Sequence, residues 1–194
     1  IIMRDYLIMT DSCCDLSQQE VDELGVSVLP LSFTIDGRTY LNTPDHAAMA
    51  PEDFFRRVAD GAVCTTAAVN VGEFTDAMRP VLESGRDILC ICFSSALSTT
   101  YQSACIAADD LRSEYPEAKI IVIDSLSASR GQGMLVYRAV QERRRSDPDI
   151  ETLANYVRSI LQSQCHWFIV DDLNHLKRGG RVSASAAFVG TMLG

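Results

Sequence analysis

The chain has 194 residues, 47% of them hydrophobic, and a formal net charge of −9. A strongly acidic chain gains nothing from releasing the counterions of nucleic acid, so DNA and RNA are excluded as principal partners. No apolar run approaches the roughly 20 residues that a membrane-spanning helix needs. The seven cysteines lie mostly among apolar residues. We expect them to be small buried side chains of a cytoplasmic protein, with no metal bound.

Strand and helix patterns alternate along the first part of the chain. Residues 6–12 (YLIMTDS) predict a strand that ends in polar side chains. Ser17 and Glu20 have the spacing of a capping box, and Gly25 is a typical helix end. Residues 26–37 then predict an extended segment that closes in an Asp-Gly turn.

The next segment combines a short helix with threonines. Residues 51–61 predict a helix that begins with a proline. Residues 64–70 (CTTAAVN) predict either a second turn rich in hydroxyls or an extended segment with threonines in their preferred conformation. Asn70 and Glu73 repeat the capping-box spacing at the start of a further helix.

Two buried strands follow. Residues 87–93 (DILCICF) are almost continuously apolar, as in a parallel sheet that is covered on both faces, and residues 119–124 repeat this pattern. Helices are predicted over 98–113 and 133–144.

The last third predicts a helix over 150–163, a strand over 165–173 and a helix of small residues at the end. The fold class is therefore α/β: an open, mostly parallel sheet with helices on both faces, plus a second, incomplete α/β domain. The charged stretch 143–149 (RRRSDPD) is the expected linker. It places an N-terminal domain at 1–148 and the start of a C-terminal domain at 149–194.

Polar residues follow three of the predicted strands. They are Thr10-Asp11-Ser12, Ser94-Ser95 and Asp124-Ser125. Ligands of open α/β sheets bind beyond the carboxyl ends of the strands, and we expect these residues to converge there.

The serine-rich turn 94–100 suits an anion. Ser98 occupies the expected N-cap position of the following helix, where unpaired N–H groups and the helix dipole favour negative charge. The alternative is that Ser98 only caps its own helix while the other hydroxyls face water.

A hydrolase or transferase that uses a serine of the 94–98 turn is the alternative function. Such a nucleophile needs a neighbouring base, and the histidines are His46, His166 and His175, none of them in a G-x-S-x-G context. The glycine-rich nucleotide motifs are absent as well. Catalytic residues and cofactors are therefore not expected.

A basic turn stands out in this acidic chain. Lys177, Arg178 and Arg181 flank two glycines. The turn is either simply solvated or a contact for a phosphate or an acidic partner.

Five motifs in order resemble the DegV family over essentially the whole chain: TDSCCDL, Thr66 followed by VGEF, SSALSTTYQSA, VIDSLSAS and FIVDDLNHLKRGGRVS. That family comprises the fatty-acid-binding subunits of bacterial fatty-acid kinase. The resemblance implies a protein that binds one long-chain fatty acid and presents its carboxylate to a separate ATP-dependent kinase subunit. The resulting acyl phosphate is used in phospholipid synthesis, and the DegV-like chain is not itself the enzyme.

The resemblance also implies site residues. Thr66 and Ser98 match the family's carboxylate-binding positions, with Ser94 and Ser95 in second rank. The turn with Lys177, Arg178 and Arg181 matches a basic motif that resembles a surface for the kinase.

The chain departs from the family pattern in the serine turn and at its end. Ala96 and Thr99 replace common glycines, and the β-branched Thr99 predicts a negative φ. The chain also stops at Gly194, within the predicted last helix, so we expect a truncated C-terminal domain.

Overall fold

The structure, a computed structural model, describes residues 4–167, 169, 176–177, 179–181 and 183. The chain divides into two compact units after Gln164. The strands of the described residues are β1 Tyr6–Asp11, β2 Ser27–Leu29, β3 Ser32–Ile35, β4 Arg38–Leu41, β5 Cys64–Ala67, β6 Asp87–Cys92 and β7 Ile120–Asp124. Their helices are α1 Gln18–Leu24, α2 Pro51–Ala59, α3 Val71–Glu83, α4 Thr100–Glu114, α5 Ser129–Ser146 and α6 Ile150–Ile160. Short 3₁₀ helices lie at Ser12–Cys14 and Leu161–Ser163.

A four-stranded parallel sheet forms the centre of the first unit, with strand order β2-β1-β6-β7. Met9 of β1 lies opposite Ser27 on one side and Cys90 on the other. All six residues of β6 are buried, as its continuous apolar sequence predicts. The predicted α/β fold with an open parallel sheet is confirmed.

Helices cover both faces of this sheet because side chains of a strand alternate between its faces. Leu89 and Ile91 of β6 pack in a core with α1, α5 and α6. Ile88, Cys90 and Cys92 pack in a second core with α3 and α4. The parallel sheet is thus the middle of three layers.

A small antiparallel sheet, with strand order β4-β3-β5, follows β2. Asp36 and Gly37 join β3 to β4 with φ of 52° and 73°, the conformation of a type I′ hairpin turn. α2 packs on this sheet through Phe54, whose ring lies 5.3 Å from that of Phe33 in an edge-to-face contact. The predicted Asp-Gly turn is confirmed.

The extended segment predicted over 26–37 is present, and its two strands belong to different sheets. β2 pairs with β1 in the parallel sheet, whereas β3 pairs with β4 and β5 in the small sheet. Pro30 lies at the break, where its missing N–H prevents a continuous ladder.

The helix ends are predicted correctly where they depend on contacts between residues close in the sequence. The capping boxes of Ser17 with Glu20 and of Asn70 with Glu73 are both formed. The prediction that Ser98 is an N-cap is wrong, because α4 has Thr99 at that position, without a side-chain cap. Its φ of −79° agrees with the negative value expected for a β-branched residue.

The predicted linker 143–149 is a tight corner between two helices. α5 continues through Ser146, Asp147 adopts a left-handed conformation, and Asp149 caps α6 through the Thr152 N–H. α6 buries Leu153 and Val157 in the same core as α5. The boundary predicted between residues 148 and 149 stays a prediction, and α6 packs within the first unit.

The cysteines vary in burial. Cys14, Cys90 and Cys92 are buried, as predicted, whereas Cys165 is exposed. Burial raises the pKa of the Cys14 thiol to about 12, so this thiol is protonated at neutral pH.

The predicted strand 165–173 lies largely outside the described residues, as does the predicted last helix. No helix in the described part of the chain is both long and apolar enough to cross a membrane.

Candidate functional site

The carboxyl ends of β1, β6 and β7 meet in one polar network, as the sequence predicts. The Phe93 N–H, directly after β6, donates a 2.7 Å hydrogen bond to Asp11 Oδ2 at the end of β1. Ser95, two residues further on, bonds to Asp124 at the end of β7. The three polar strand ends therefore form one edge of the sheet.

Asp11 is a fully buried carboxylate at the base of this edge. Burial raises its pKa, while hydrogen bonds from the Phe93 and Cys13 backbone amides act in the opposite direction. Below it, the buried Gln132 amide of α5 donates to Thr10 Oγ1 at 2.9 Å. These contacts fix the strand ends rather than offer groups to a ligand.

Ser94 has a structural position at the start of the serine turn. It is buried, its N–H donates to Ser127 O, and its Oγ accepts from the Ala96 N–H at 3.3 Å. Its carbonyl accepts from the Leu97 and Ser98 amides. Ser94 thereby shapes the turn that carries the other serines.

Ser95 and Asp124 form a close pair. Ser95 Oγ lies 2.5 Å from Asp124 Oδ2, and the Ser95 N–H donates to Oδ1 at 3.2 Å. The serine proton is therefore donated to a carboxylate of the protein. Asp124 also accepts from the Leu126 N–H, which holds this exposed leucine at φ 51°, a left-handed conformation that costs on the order of 1–2 kcal/mol.

Ser98 is half-buried and lies at the start of α4. Its Oγ accepts from the Thr100 N–H at 3.2 Å and lies 2.9 Å from Thr100 Oγ1. Among the described residues, the N–H groups of Tyr101 and Gln102 have no hydrogen-bond partner. A hydroxyl and the unpaired amides of a 15-residue helix therefore lie together, a combination that stabilises an anion.

Thr66 lies in β5 rather than in a turn, opposite Phe33 of β3. The turn that the sequence allows at 64–70 is wrong, and the extended alternative is correct. Thr66 is exposed, and its hydroxyl has no hydrogen-bond partner among the described residues. No described contact joins it directly to the serine turn.

Ser12 connects the small sheet to the polar edge. Its Oγ accepts from the Leu31 N–H at 3.0 Å, just before β3, and from Asn42 Nδ2 at 3.2 Å, just after β4. The hairpin that pairs with Thr66 is thus attached at the end of β1.

The basic turn is exposed at Lys177 and Arg181, and Arg178 lies outside the described residues. The Gly180 and Arg181 amides close the turn on the carbonyls of Lys177 and Leu176. The Arg181 guanidinium donates to the Gly179 carbonyl and has no carboxylate partner among the described residues.

Among the residues that the structure describes, the serine hydroxyls lack the arrangement of a nucleophile. In the part of the chain that the structure describes, none of Ser94, Ser95 and Ser98 hydrogen bonds a histidine. The hydrolase alternative is therefore not supported. No group of three or more potential metal ligands occurs among the described residues.

Sequence reasoning missed the roles of Ser12, Gln132 and Thr100. The first two make contacts 19 or more residues away along the chain, which no local pattern reveals. Thr100 was recognisable as one hydroxyl of the serine-rich turn, but its burial depends on the packing of α4.

Comparison with known sequences identifies one family. The sequence model of the DegV family, described as uncharacterised protein, matches residues 6–194. The DegV domain-containing protein CPE0026 of Clostridium perfringens is 38% identical over 98% of this chain, and the match spans 65% of that protein. The protein YteA of Lactococcus lactis is 38% identical over 96% of this chain and 64% of its own length. The chain thus spans about 65% of the length of these relatives.

Solved structures share the fold. A fatty-acid-binding DegV family protein from Thermus thermophilus has a TM-score of 0.82 and 33% identity, covering 97% of this chain and 65% of its own. A stearic-acid-binding protein from Eubacterium ventriosum has a TM-score of 0.79 and 28% identity, covering 93% and 63%.

Proposed function

The chain belongs to the DegV family, and we propose that it binds a long-chain fatty acid whose carboxylate lies at the carboxyl edge of the parallel sheet. Ser98 and Thr66 hold the carboxylate in this proposal, and Ser94 and Ser95 support the turn. The two solved relatives are named for fatty-acid binding, which supports the ligand class.

The start of α4 is the observation that carries the proposal. Ser98 lies beside helix amides of Tyr101 and Gln102 that have no partner among the described residues. An ionised carboxylate buried without hydrogen bonds is costly, and these donors offset that cost without a cationic side chain. Ser95 contributes less, because its proton is donated to Asp124.

Apolar side chains beside the edge suit the acyl chain. Leu97 and Leu126 are 37% and 53% exposed and belong to the two turns that frame the serines. Each CH₂ of a buried acyl chain contributes about 0.8 kcal/mol, so the tail dominates the affinity and the hydroxyls orient the head group.

The proposal extends to a kinase partner. The chain presents the carboxylate to a separate ATP-dependent kinase in the cytoplasm and is not itself the phosphotransferase. Lys177, Arg178 and Arg181 contact that partner, and the acyl phosphate serves phospholipid synthesis. Support comes from the exposed positive charge of Lys177 and Arg181 in a chain of net charge −9.

Native mass spectrometry tests the ligand directly. The protein, stripped of lipid and mixed with palmitate, is expected to carry one added fatty-acid mass per chain. If the protein takes up no palmitate at palmitate concentrations that saturate typical lipid carriers, the proposal is contradicted.

A further inference from the structure

We propose that Thr100 is a positioning residue that sets the direction of the Ser98 hydroxyl; the inference rests on the proposed role of Ser98 in carboxylate binding. Thr100 is 0% exposed at the first position of α4. It reaches Ser98 Oγ twice, through its N–H at 3.2 Å and through its Oγ1 at 2.9 Å. A buried residue thus makes both hydrogen bonds that the Ser98 hydroxyl forms with described residues.

The proton count of the two hydroxyls decides what Ser98 offers to a ligand. A serine hydroxyl donates one proton and accepts at two lone pairs. The Thr100 N–H fills one lone pair. If Thr100 Oγ1 donates to the other, the Ser98 proton is left for the ligand. In the opposite direction Ser98 gives its proton to Thr100 and presents only a lone pair, which repels a carboxylate.

Only one direction of the hydrogen bonds therefore binds an ionised carboxylate: Thr100 donates to Ser98, and Ser98 donates to the ligand. Among the described residues, Thr100 Oγ1 has no other hydrogen-bond partner, so nothing competes for its proton. A charged acceptor also polarises such a chain and strengthens its inner bond. An alcohol, which both donates and accepts, is satisfied by Ser98 in either direction.

This hydrogen-bond relay, from Thr100 through Ser98 to the ligand, predicts that Thr100 affects the binding of acids and not that of alcohols. Thr100→Val keeps the branched shape and removes the hydroxyl, whereas Thr100→Ser keeps the hydroxyl. We expect Thr100→Val to weaken palmitate binding about five- to tenfold, the range for loss of one hydrogen bond in this setting. Binding of 1-hexadecanol, which has the same chain length, should change less than about twofold, and Thr100→Ser should restore palmitate binding to about the wild-type level.

Titration calorimetry measures the affinities of palmitate and 1-hexadecanol. The proteins compared are wild type, the two Thr100 variants, Ser98→Ala and the Ser98→Ala/Thr100→Val double variant. The relay predicts that Thr100→Val has no further effect in the Ser98→Ala background. Equal losses for palmitate and 1-hexadecanol would show that Thr100 only packs. An unchanged palmitate affinity of Thr100→Val, with Ser98→Ala weakened, would overturn the relay alone. Equal palmitate binding by Ser98→Ala and wild type would overturn the role of Ser98 and the relay together.

Discussion

The backbone N–H of Phe93 donates a 2.7 Å hydrogen bond to the buried carboxylate of Asp11. Asp11 ends β1 and Phe93 follows β6, its neighbour in the sheet. The same carboxylate accepts from the Cys13 N–H at 3.0 Å. The residue directly before the serine turn is therefore held by a side chain of another strand, which lies 82 positions away in the sequence.

The burial of Asp11 predicts a pH dependence of stability. Burial raises the pKa of Asp11 above its ordinary value of 3.8, so the folded protein binds this proton more tightly than the unfolded chain. The stability that comes from this tighter proton binding is fully present below about pH 3.8 and is lost as the pH rises through the folded-state pKa of Asp11. Because Asn does not titrate, the free energy of unfolding of wild type relative to Asp11→Asn should fall across that window. Urea titrations between about pH 3 and 8 measure the difference; a difference that rises with pH would contradict the assignment.

Gly133 should not tolerate a side chain. A Cβ at this position would lie 2.6 Å from the Cys14 carbonyl oxygen and 3.2 Å from Leu16 Cδ2. Backbone cannot yield as a flexible side chain does, so we expect Gly133→Ala to destabilise the fold by about 1–3 kcal/mol despite the better helix propensity of alanine. Arg138→Ala, at an exposed position of the same helix, should change stability by less than about 0.5 kcal/mol. Thermal denaturation that places both variants at the wild-type Tm would contradict the close approach.

The pair of Arg130 and Glu20 should contribute little at neutral pH. The guanidinium forms two hydrogen bonds with the carboxylate and, together with the hydrogen bonds from Ser17, lowers the pKa of Glu20 to about 2. Both side chains are solvent-accessible, so screening limits the pair to about 1 kcal/mol or less.

This contribution is present above about pH 4.5 and is lost as the pH falls toward about 2. The destabilisation caused by Arg130→Gln should therefore shrink over that range and at high salt. Arg138→Gln is the matched control, because Arg138 is an exposed arginine of α5 without a carboxylate partner among the described residues. A pH-independent loss for Arg130→Gln would assign its role to the hydrogen bond with the Asp15 carbonyl.

The basic turn should affect kinase coupling and not lipid binding. Arg178→Ala combined with Arg181→Ala removes two charges. We expect the rate of acyl phosphate formation by a reconstituted kinase to fall about tenfold when this chain is the limiting component. Palmitate affinity should stay at the wild-type level. Arg38→Ala combined with Arg138→Ala removes the same charge from exposed positions elsewhere. Loss of palmitate binding in the first pair would show instead that the turn is structural.

The elements that the sequence predicts correctly depend on neighbours a few residues apart. The capping box of Ser17 and Glu20 spans three residues, and the continuous apolar run of β6 follows from burial on both faces. The convergence of Asp11 and Asp124 at one edge follows from the geometry of parallel strands.

The errors concern contacts between distant segments. β3 and β5 pair across about 30 residues, so the sequence around Thr66 left a turn and an extended segment equally open. The helix begins one residue later than expected, with Thr99 as its N-cap, although Ser98 Oγ accepts from the Thr100 N–H as the side chain of a capping serine does. Neither outcome is determined by local propensity.

The affinity of palmitate for matched threonine and serine variants shows whether Thr66 and Ser98 hold the carboxylate. Thr65 lies opposite Thr34 and Thr66 opposite Phe33, so the two threonines point to opposite faces of β5, and Thr65→Val is the control for Thr66→Val. We expect Ser98→Ala and Thr66→Val each to weaken palmitate binding about tenfold at unchanged Tm, and Thr65→Val to bind palmitate as wild type does. Wild-type palmitate affinity in both Ser98→Ala and Thr66→Val would contradict this role.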